Sequence, residues 1–218
     1  IDSVSTTEPV ISNIVDDKEK VKIINDDFPY NLKSPTSEWL MPQRLKEISG
    51  LAYKRDSKEL VAVNDEKGNF YLINISTGEV VEKVDFGGGG DYEGVEFVNN
   101  QVCIVKSNGN IYIYSLGEPA LARRVKTRLK FTNNVEGLGY DGNTNSLLLA
   151  CKDSPNISGE TEIKGKAVYS YSLKRNVLST KPLLNIRDKA LLAWSAKNAQ
   201  NPEKNKKIRN RLKSFSPS

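Results

Sequence analysis

The sequence contains no histidine and only two cysteines among its 218 residues. Without histidine, a Ser-His-Asp or Cys-His hydrolase is excluded, and so is a metal centre that depends on imidazole ligands. Two cysteines are also too few for a zinc site built from thiolates. We expect Cys103 and Cys151 to be buried free thiols, because both fall in predicted second strands of neighbouring repeats, which are too far apart for a disulfide.

Long apolar runs are missing as well, since no stretch approaches the roughly 18 residues that a membrane-spanning helix needs. The net charge is +5, and the positive excess is concentrated in one late run, which comprises Lys204, Lys206, Lys207, Arg209, Arg211 and Lys213. No pattern of stacking aromatic residues accompanies this run. We therefore interpret it as an exposed face and do not expect nucleic acid as a partner.

A short phrase returns three times along the chain, as EISGL at residues 47–51, DYEGV at 91–95 and NVEGL at 134–138. Aligned on the glycine, the copies are 44 and 43 residues apart. Each copy continues as short β-branched and aromatic runs separated by Gly, Asn, Asp and Ser, which is typical of an antiparallel meander. Repeats of about 40 to 50 residues with this content predict the blades of a β-propeller.

The fold class predicted is therefore all-β, a β-propeller of four-stranded antiparallel blades with about three blades in this sequence. The predicted blades occupy about residues 47–86, 91–130 and 134–184 of a propeller region that covers 21–218. Residues 1–20 are polar and acidic and predict an N-terminal tail. A helical insertion is predicted at 185–213, and residues 214–218 resemble the start of a further blade.

Two further expectations concern the ends of the chain and its assembly. The first residue is Ile1 and not Met, which indicates either an upstream signal peptide or membrane anchor or a trimmed chain. Propellers need about four to eight blades to close, so three blades predict a fragment of a ring. Exposed strand edges would then favour an oligomer.

Acidic side chains recur where the first strand of each repeat begins and the second ends. These two points share one edge of an antiparallel blade, and first strands line the channel of a propeller. We therefore expect the acids to converge on one channel mouth, where oxygen ligands favour calcium. The candidate metal ligands are Glu47, Asp65, Asp91, Glu93, Glu136 and Asp153, with Glu66 beside them.

A structural role is the alternative for these acids, because a carboxylate before a glycine can accept backbone N–H bonds. Ser49 stands in the first repeat where Glu93 and Glu136 stand in the next two, so a symmetric ring of carboxylates is not available. Lys106 and Lys152 follow the second strands, and pairing with the acids would weaken the case for a metal.

The ordered set EISGLAY with AVNDEKGNFY, DYEGVEF, and VEGLGYD with LLLACKDSP resembles the SdiA-regulated, YjiK-like family of bacterial β-propellers, over about residues 47–173. The resemblance implies six blades, an architecture related to calcium-dependent phytases, and a periplasmic, envelope-associated or secreted location with no firmly assigned activity. The acids that match the family phrases are Glu47, Asp91, Glu93 and Glu136.

Three functions follow from the sequence. The first is an extracytoplasmic calcium-binding propeller that acts as a binding or interaction module for a small polar ligand or a protein. The second is a calcium-dependent hydrolase of phosphate esters, in which metal ions would hold the phosphate and activate water. The third is a scaffold without metal. The sequence leaves open whether the protein is an enzyme, and it identifies no catalytic residue.

Overall fold

The computed structural model describes residues 34–117, 122–157 and 163–187, together with residues 189, 190 and 193. The chain divides into two compact units, Ile1–Glu38 and Trp39–Ser218. Only residues 34–38 of the first unit are described, and they are exposed. The tail expected at 1–20, the further blade expected at 214–218 and most of the expected helical insertion lie outside the described residues.

Three antiparallel sheets of consecutive strands make up the described part of the second unit. A 3-10 helix, Gln43–Leu45, precedes the first sheet, and a second, Arg55–Ser57, lies between its first two strands. The first sheet contains β1 (Ile48–Lys54), β2 (Glu59–Asn64), β3 (Asn69–Asn74) and β4 (Val80–Asp85). The second contains β5 (Tyr92–Val98), β6 (Gln101–Lys106), β7 (Ile111–Ser115) and β8 (Arg123–Val125). The third contains β9 (Val135–Asp141), β10 (Ser146–Cys151), β11 (Lys166–Ser172), β12 (Val177–Leu178) and β13 (Leu184–Ile186).

Asparagine closes the tight turns of the meanders. Asn99 and Asn100 join β5 to β6, and both have positive φ angles, 50° and 61°. A two-residue hairpin loop with both residues in this conformation matches the twist of the strands it connects, and asparagine tolerates the conformation better than most residues. Asn145 and Asn176 have similar angles, 49° and 54°, before β10 and β12.

Two short strands, β12 and β13, together form the outer edge of the third sheet. Both β12 and β13 pair with β11, at its opposite ends. Asn185 and Ile186, the first two residues of the expected helical insertion, lie in β13 and are therefore strand. Within the described part of the expected insertion, residues 189, 190 and 193 have helical conformation.

The sheets pack face to face, and their first strands lie side by side, β1 against β5 and β5 against β9. This approach requires glycine, since a Cβ on Gly50 would come within 3.0 Å of the Gly94 Cα. A Cβ on Gly94 would come within 2.8 Å of the Leu138 Cβ. Four-stranded meanders arranged around adjacent first strands are the blades of a β-propeller, so the predicted fold class is confirmed.

Candidate functional site

In the first and second blades, backbone hydrogen bonds join the end of the second strand to the next blade. The Asp65 N–H donates to the Glu47 carbonyl at 3.1 Å, and the Asp65 carbonyl accepts from the Tyr92 N–H at 2.8 Å. Ser107 repeats the arrangement one blade later, where its carbonyl accepts from the Val135 N–H at 2.8 Å. These bonds hold the starts of the first strands and the ends of the second strands at one edge, as expected from the sequence.

Each first strand carries a β-bulge at the residue before the repeated glycine. In β1 the partners of Ile48 and Gly50 are adjacent in β2, which leaves Ser49 without a partner. The corresponding unpaired residues are Glu93 in β5 and Glu136 in β9. Because a bulge redirects the side chain of the extra residue, and bulges are common beside functional sites, these three positions define the candidate site.

Glu93 is half-buried and lies among other acids. Burial raises the pKa of its carboxyl to about 8, with smaller contributions from a side-chain hydrogen bond with Asp91 and from the charges of Glu136 and Asp91. The positive charge of Lys152 acts in the opposite direction. The Glu93 carboxyl is therefore mostly protonated at pH 7 when no cation is bound.

Glu136 differs from Glu93 because it has a cationic partner. The Lys152 Nζ lies 3.0 Å from the Glu136 Oε1 and donates a hydrogen bond to it. This hydrogen bond and the charge of Glu136 raise the pKa of the Lys152 ammonium. Asp153 follows Lys152, and its Oδ2 accepts a hydrogen bond from the Asn134 Nδ2 at 2.9 Å. The alternative of a lysine-neutralised acid thus applies at Glu136.

The other acids and the second lysine are arranged differently. Glu47 is exposed, whereas Asp65 is partly buried and its Oδ1 has no hydrogen-bond partner among the described residues. Neither is among the charges that act on Glu93 in the described part of the chain. Lys106 donates to the Gly89 carbonyl at 3.2 Å, and its Nζ lies 4.6 Å from the centroid of the Tyr92 ring.

The structure therefore brings together Asp91, Glu93, Glu136 and Lys152, which we call the mouth cluster. Within the described ranges, no three or more Asp, Glu or Cys side chains are placed so that they could hold a metal ion. Sequence reasoning missed Ser107, whose buried Oγ has no hydrogen-bond partner in the same ranges. The sequence could have indicated this position, since Ser107 follows the second strand of its repeat as Asp65 and Lys152 do in theirs.

The fold and the mouth cluster define a set of β-propeller blades with a group of charged side chains at one edge. The sequence matches the SdiA-regulated family over residues 36–181, and the chain belongs to that family. A search of curated proteins found no significant match. No helix in the part of the chain that the structure describes is long and apolar enough to cross a membrane.

Three solved structures illustrate the similarity of fold. Hydrazine synthase of Kuenenia stuttgartiensis is 11% identical with a TM-score of 0.47, over 62% of this chain and 37% of that one. The Cps50 (Swd1) β-propeller domain of Myceliophteria thermophila is 11% identical, with a TM-score of 0.43 and coverage of 60% and 40%. The Pan2 WD40 domain of Neurospora crassa is 11% identical, with a TM-score of 0.48 and coverage of 68% and 43%. The present chain thus covers less than half of each of these chains, and such distant similarity carries no information about its function.

Proposed function

We propose that this SdiA-regulated propeller binds calcium at the mouth cluster and acts as a binding or interaction module through that site. The observation that carries the proposal is the position of Glu93. Its carboxyl is half-buried beside Asp91 and Glu136, and burial with these acids raises its pKa to about 8. Among the described residues, the ammonium of Lys152 acts on the cluster, and it hydrogen-bonds to Glu136. A bound cation would replace the proton and relieve the repulsion.

The donor atoms of the mouth fit calcium better than a transition metal. The available side-chain donors are oxygens, and calcium accepts carboxylates, carbonyls, hydroxyls and water in flexible geometry. Asp65 Oδ1 and Ser107 Oγ are buried oxygens with no hydrogen-bond partner among the described residues. Since no three carboxylates of the described residues are placed to hold one ion together, Glu93 and Glu136 would supply carboxylates while backbone carbonyls and water would complete the shell. The bound calcium would supply charge to hold an anionic or polar partner at the mouth.

A metal-free interaction module is the second candidate, and one specific observation favours it. The Lys152–Glu136 pair, at 3.0 Å, already neutralises one carboxylate of the cluster. In addition, the described residues contain no ready-made set of three metal-binding side chains. In this case the mouth would bind a polar or cationic group of a partner directly.

Calorimetric titration with calcium separates the two candidates. We expect saturable binding with a Kd of about 0.1 to 1 mM, the range of extracellular calcium modules. The Glu93→Gln variant should lose this binding, whereas Glu82→Gln, which changes an exposed acid on β4, should keep it. Absence of binding in folded wild-type protein would reject calcium and leave the metal-free module.

Hydrolysis of phosphate esters is tested by the same variants. A calcium-dependent hydrolase would need cationic phosphate ligands beside the metal, yet Lys152 is engaged by Glu136 and Lys106 by the Gly89 carbonyl. We therefore rank this activity below binding. Calcium-dependent turnover of p-nitrophenyl phosphate that disappears in Glu93→Gln would reverse the ranking.

We further propose that the protein acts in the cell envelope or outside the cell, as the family resemblance implies. A weak calcium site is useful there, because extracellular calcium modules work at high calcium concentrations. Cell fractionation tests the location: the protein should appear in the periplasmic, membrane-associated or secreted fraction. Recovery in the cytoplasmic fraction alone would reject this part of the proposal.

A further inference from the structure

The outer edge of the second blade carries a strongly positive segment, which begins in β8 and continues into the connection to β9. Residues 119–135 contain no Asp or Glu. They contain five exposed cations, Arg123, Arg124, Lys126, Arg128 and Lys130. Two of these, Arg128 and Lys130, also interact within the protein. Because a run of cations is often no more than a solvated face, its meaning depends on how the segment is held and on what lies beside it.

The outer strands of the other two blades do not share this charge. In β4, Glu82, Lys83 and Asp85 carry charges of both signs, and the Lys83 Nζ lies 2.7 Å from the Asp85 Oδ1. The β13 strand has no charged residue. The positive segment is therefore not a requirement of the repeat. It also belongs to the middle blade of the three, which packs on both sides against a described blade.

Alternate residues fix the segment to the second blade. Val125 pairs with Ile111 across β8 and β7. The Thr127 Oγ1 donates a hydrogen bond to the Gly109 carbonyl at 2.8 Å. Leu129 is buried and lies so close to Gly109 that a Cβ there would come within 2.4 Å of the Leu129 Cβ. The cations from residue 124 to residue 130 alternate with these three anchors, so the anchors hold them on the exposed side.

An exposed aromatic ring follows directly after the cations. Phe131 is 69% exposed, although it begins a well-bonded turn. Asn133 is buried in this turn, and its Oδ1 accepts from the Lys130 N–H at 2.8 Å. The Asn133 Nδ2 donates to the carbonyls of Ser154 and Asn156, both at 2.8 Å. The fold thus holds a phenyl ring in solvent beside the cations, where the ring contributes little to the core.

We propose that this cationic edge, the five cations and Phe131, binds the surface of a bilayer that contains anionic phospholipid. Lysine and arginine are attracted to the negative surface potential of such a bilayer, and an adjacent aromatic ring can bury itself at the boundary between headgroups and acyl chains. A soluble polyanion would use the cations but would leave Phe131 in water, so the ring favours a lipid surface. The proposal does not depend on calcium at the mouth cluster.

Vesicle flotation with the 218-residue chain tests the proposal. The vesicles contain equal parts of phosphatidylcholine and phosphatidylglycerol, and pure phosphatidylcholine vesicles are the comparison. EDTA is present throughout, so that calcium cannot bridge carboxylates to the lipid. We expect the protein to float with the anionic vesicles and not with the neutral ones. Raising the ionic strength from about 0.1 M to about 1 M should release most of it, because salt screens the attraction.

A pair of double variants separates a specific edge from the net charge of the protein. The variant Arg124→Gln, Lys126→Gln should bind anionic vesicles about 20-fold more weakly, since each cation near the surface contributes about fivefold. The matched control is Lys174→Gln, Arg175→Gln, which removes the same charge from an exposed turn between β11 and β12. It should bind within about twofold of the wild type.

The contribution of the ring is tested separately. Phe131→Ser should weaken binding about tenfold, whereas Val177→Ser, at a residue that is 49% exposed on β12, should not. Circular dichroism checks that each variant is folded. Folded wild-type protein that stays unbound at millimolar anionic lipid would overturn the proposal, as would equal losses in the two double variants. Unchanged binding of Phe131→Ser, or binding to soluble polyphosphate in preference to vesicles, would assign the edge to a soluble polyanion and overturn it too.

Discussion

The Lys152 ammonium lies 3.0 Å from the Glu136 carboxylate, at the bulge of the third blade. The equivalent bulge of the second blade holds Glu93, but Ser107 occupies the place that corresponds to Lys152. Among the described residues, Lys152 is therefore the cation that acts on both glutamates, and it also interacts with Asp153. Burial is the main reason that the pKa of Glu93 is raised to about 8, and the charge of Lys152 offsets this only in part, whereas the hydrogen bond with Glu136 raises the pKa of Lys152.

Removing that cation should change the titration of Glu93. In Lys152→Gln the attractive charge acting on Glu93 disappears while the charge of Glu136 remains, so the pKa of Glu93 should rise further above about 8. Carbon-13 NMR of the side-chain carboxyl measures this value directly. Lys83→Gln is the control, since Lys83 pairs with Asp85 on the exposed outer strand. An unchanged or lower pKa in Lys152→Gln would contradict the account.

Glu93 should also make the fold less stable at high pH. Its pKa is raised from the usual 4.5 to about 8 on folding, so the folded state binds more protons between these values. Stability should therefore fall as pH rises from about 4.5 to about 8 and change little above that range. In Glu93→Gln this loss should disappear, a gain of about 1 to 2 kcal/mol at pH 9 after allowance for solvent screening.

Urea unfolding without calcium, at pH 5 and pH 9, checks this prediction. The variant and the wild type should have similar stability at pH 5, where the Glu93 carboxyl is protonated in the folded state. Glu82→Gln is again the exposed control and should follow the wild type at both values. A variant that is less stable than the wild type at pH 9 would give the opposite sign and refute the assignment.

The close approach of the first strands should make Gly94 intolerant of a side chain. A Cβ there would lie 2.8 Å from the Leu138 Cβ and 3.1 Å from the Leu138 backbone nitrogen. Gly94→Ala should therefore lower the free energy of unfolding by about 1 to 3 kcal/mol, the usual cost of overpacking. Gly88→Ala is the matched control, because its Cβ would meet nothing within 4 Å. Equal effects of the two substitutions would contradict the packing described.

The spacing of the glycine phrase was sufficient to predict the blades, because Gly50 and Gly94 are required where two first strands meet. The bulge at Glu93 and Glu136 was not predicted, since a bulge depends on the register between two strands, and composition does not reveal register. Lys106 and Lys152 were both named as cations that could pair with the acids. Lys152 pairs with Glu136, whereas Lys106 donates to the Gly89 carbonyl, and sequence spacing could not distinguish these two outcomes. Glu47 and Asp65 share the edge with the cluster, yet sequence spacing could not tell that neither acts on Glu93.

The two cysteines should be inert in the folded protein. Cys103 and Cys151 are free and fully buried, as expected from the sequence, and burial raises the pKa of each thiol to about 12. Because the thiolate is the reactive form, a disulfide reagent should label neither residue in native protein. Two thiols per chain should react in guanidinium chloride. Rapid labelling of one thiol under native conditions would show that the core between the second and third blades opens readily.

The central claim, that the carboxylates at the two bulges form a calcium site, is tested most directly by a thermal melt with and without calcium. At a calcium concentration about 100-fold above the Kd, the melting temperature of the wild type should rise by about 5 to 10 °C. The double variant Glu93→Gln, Glu136→Gln should melt at the same temperature with and without calcium. A wild-type melting temperature that calcium does not change, in protein shown to be folded, would contradict the claim and leave both glutamates with a structural role.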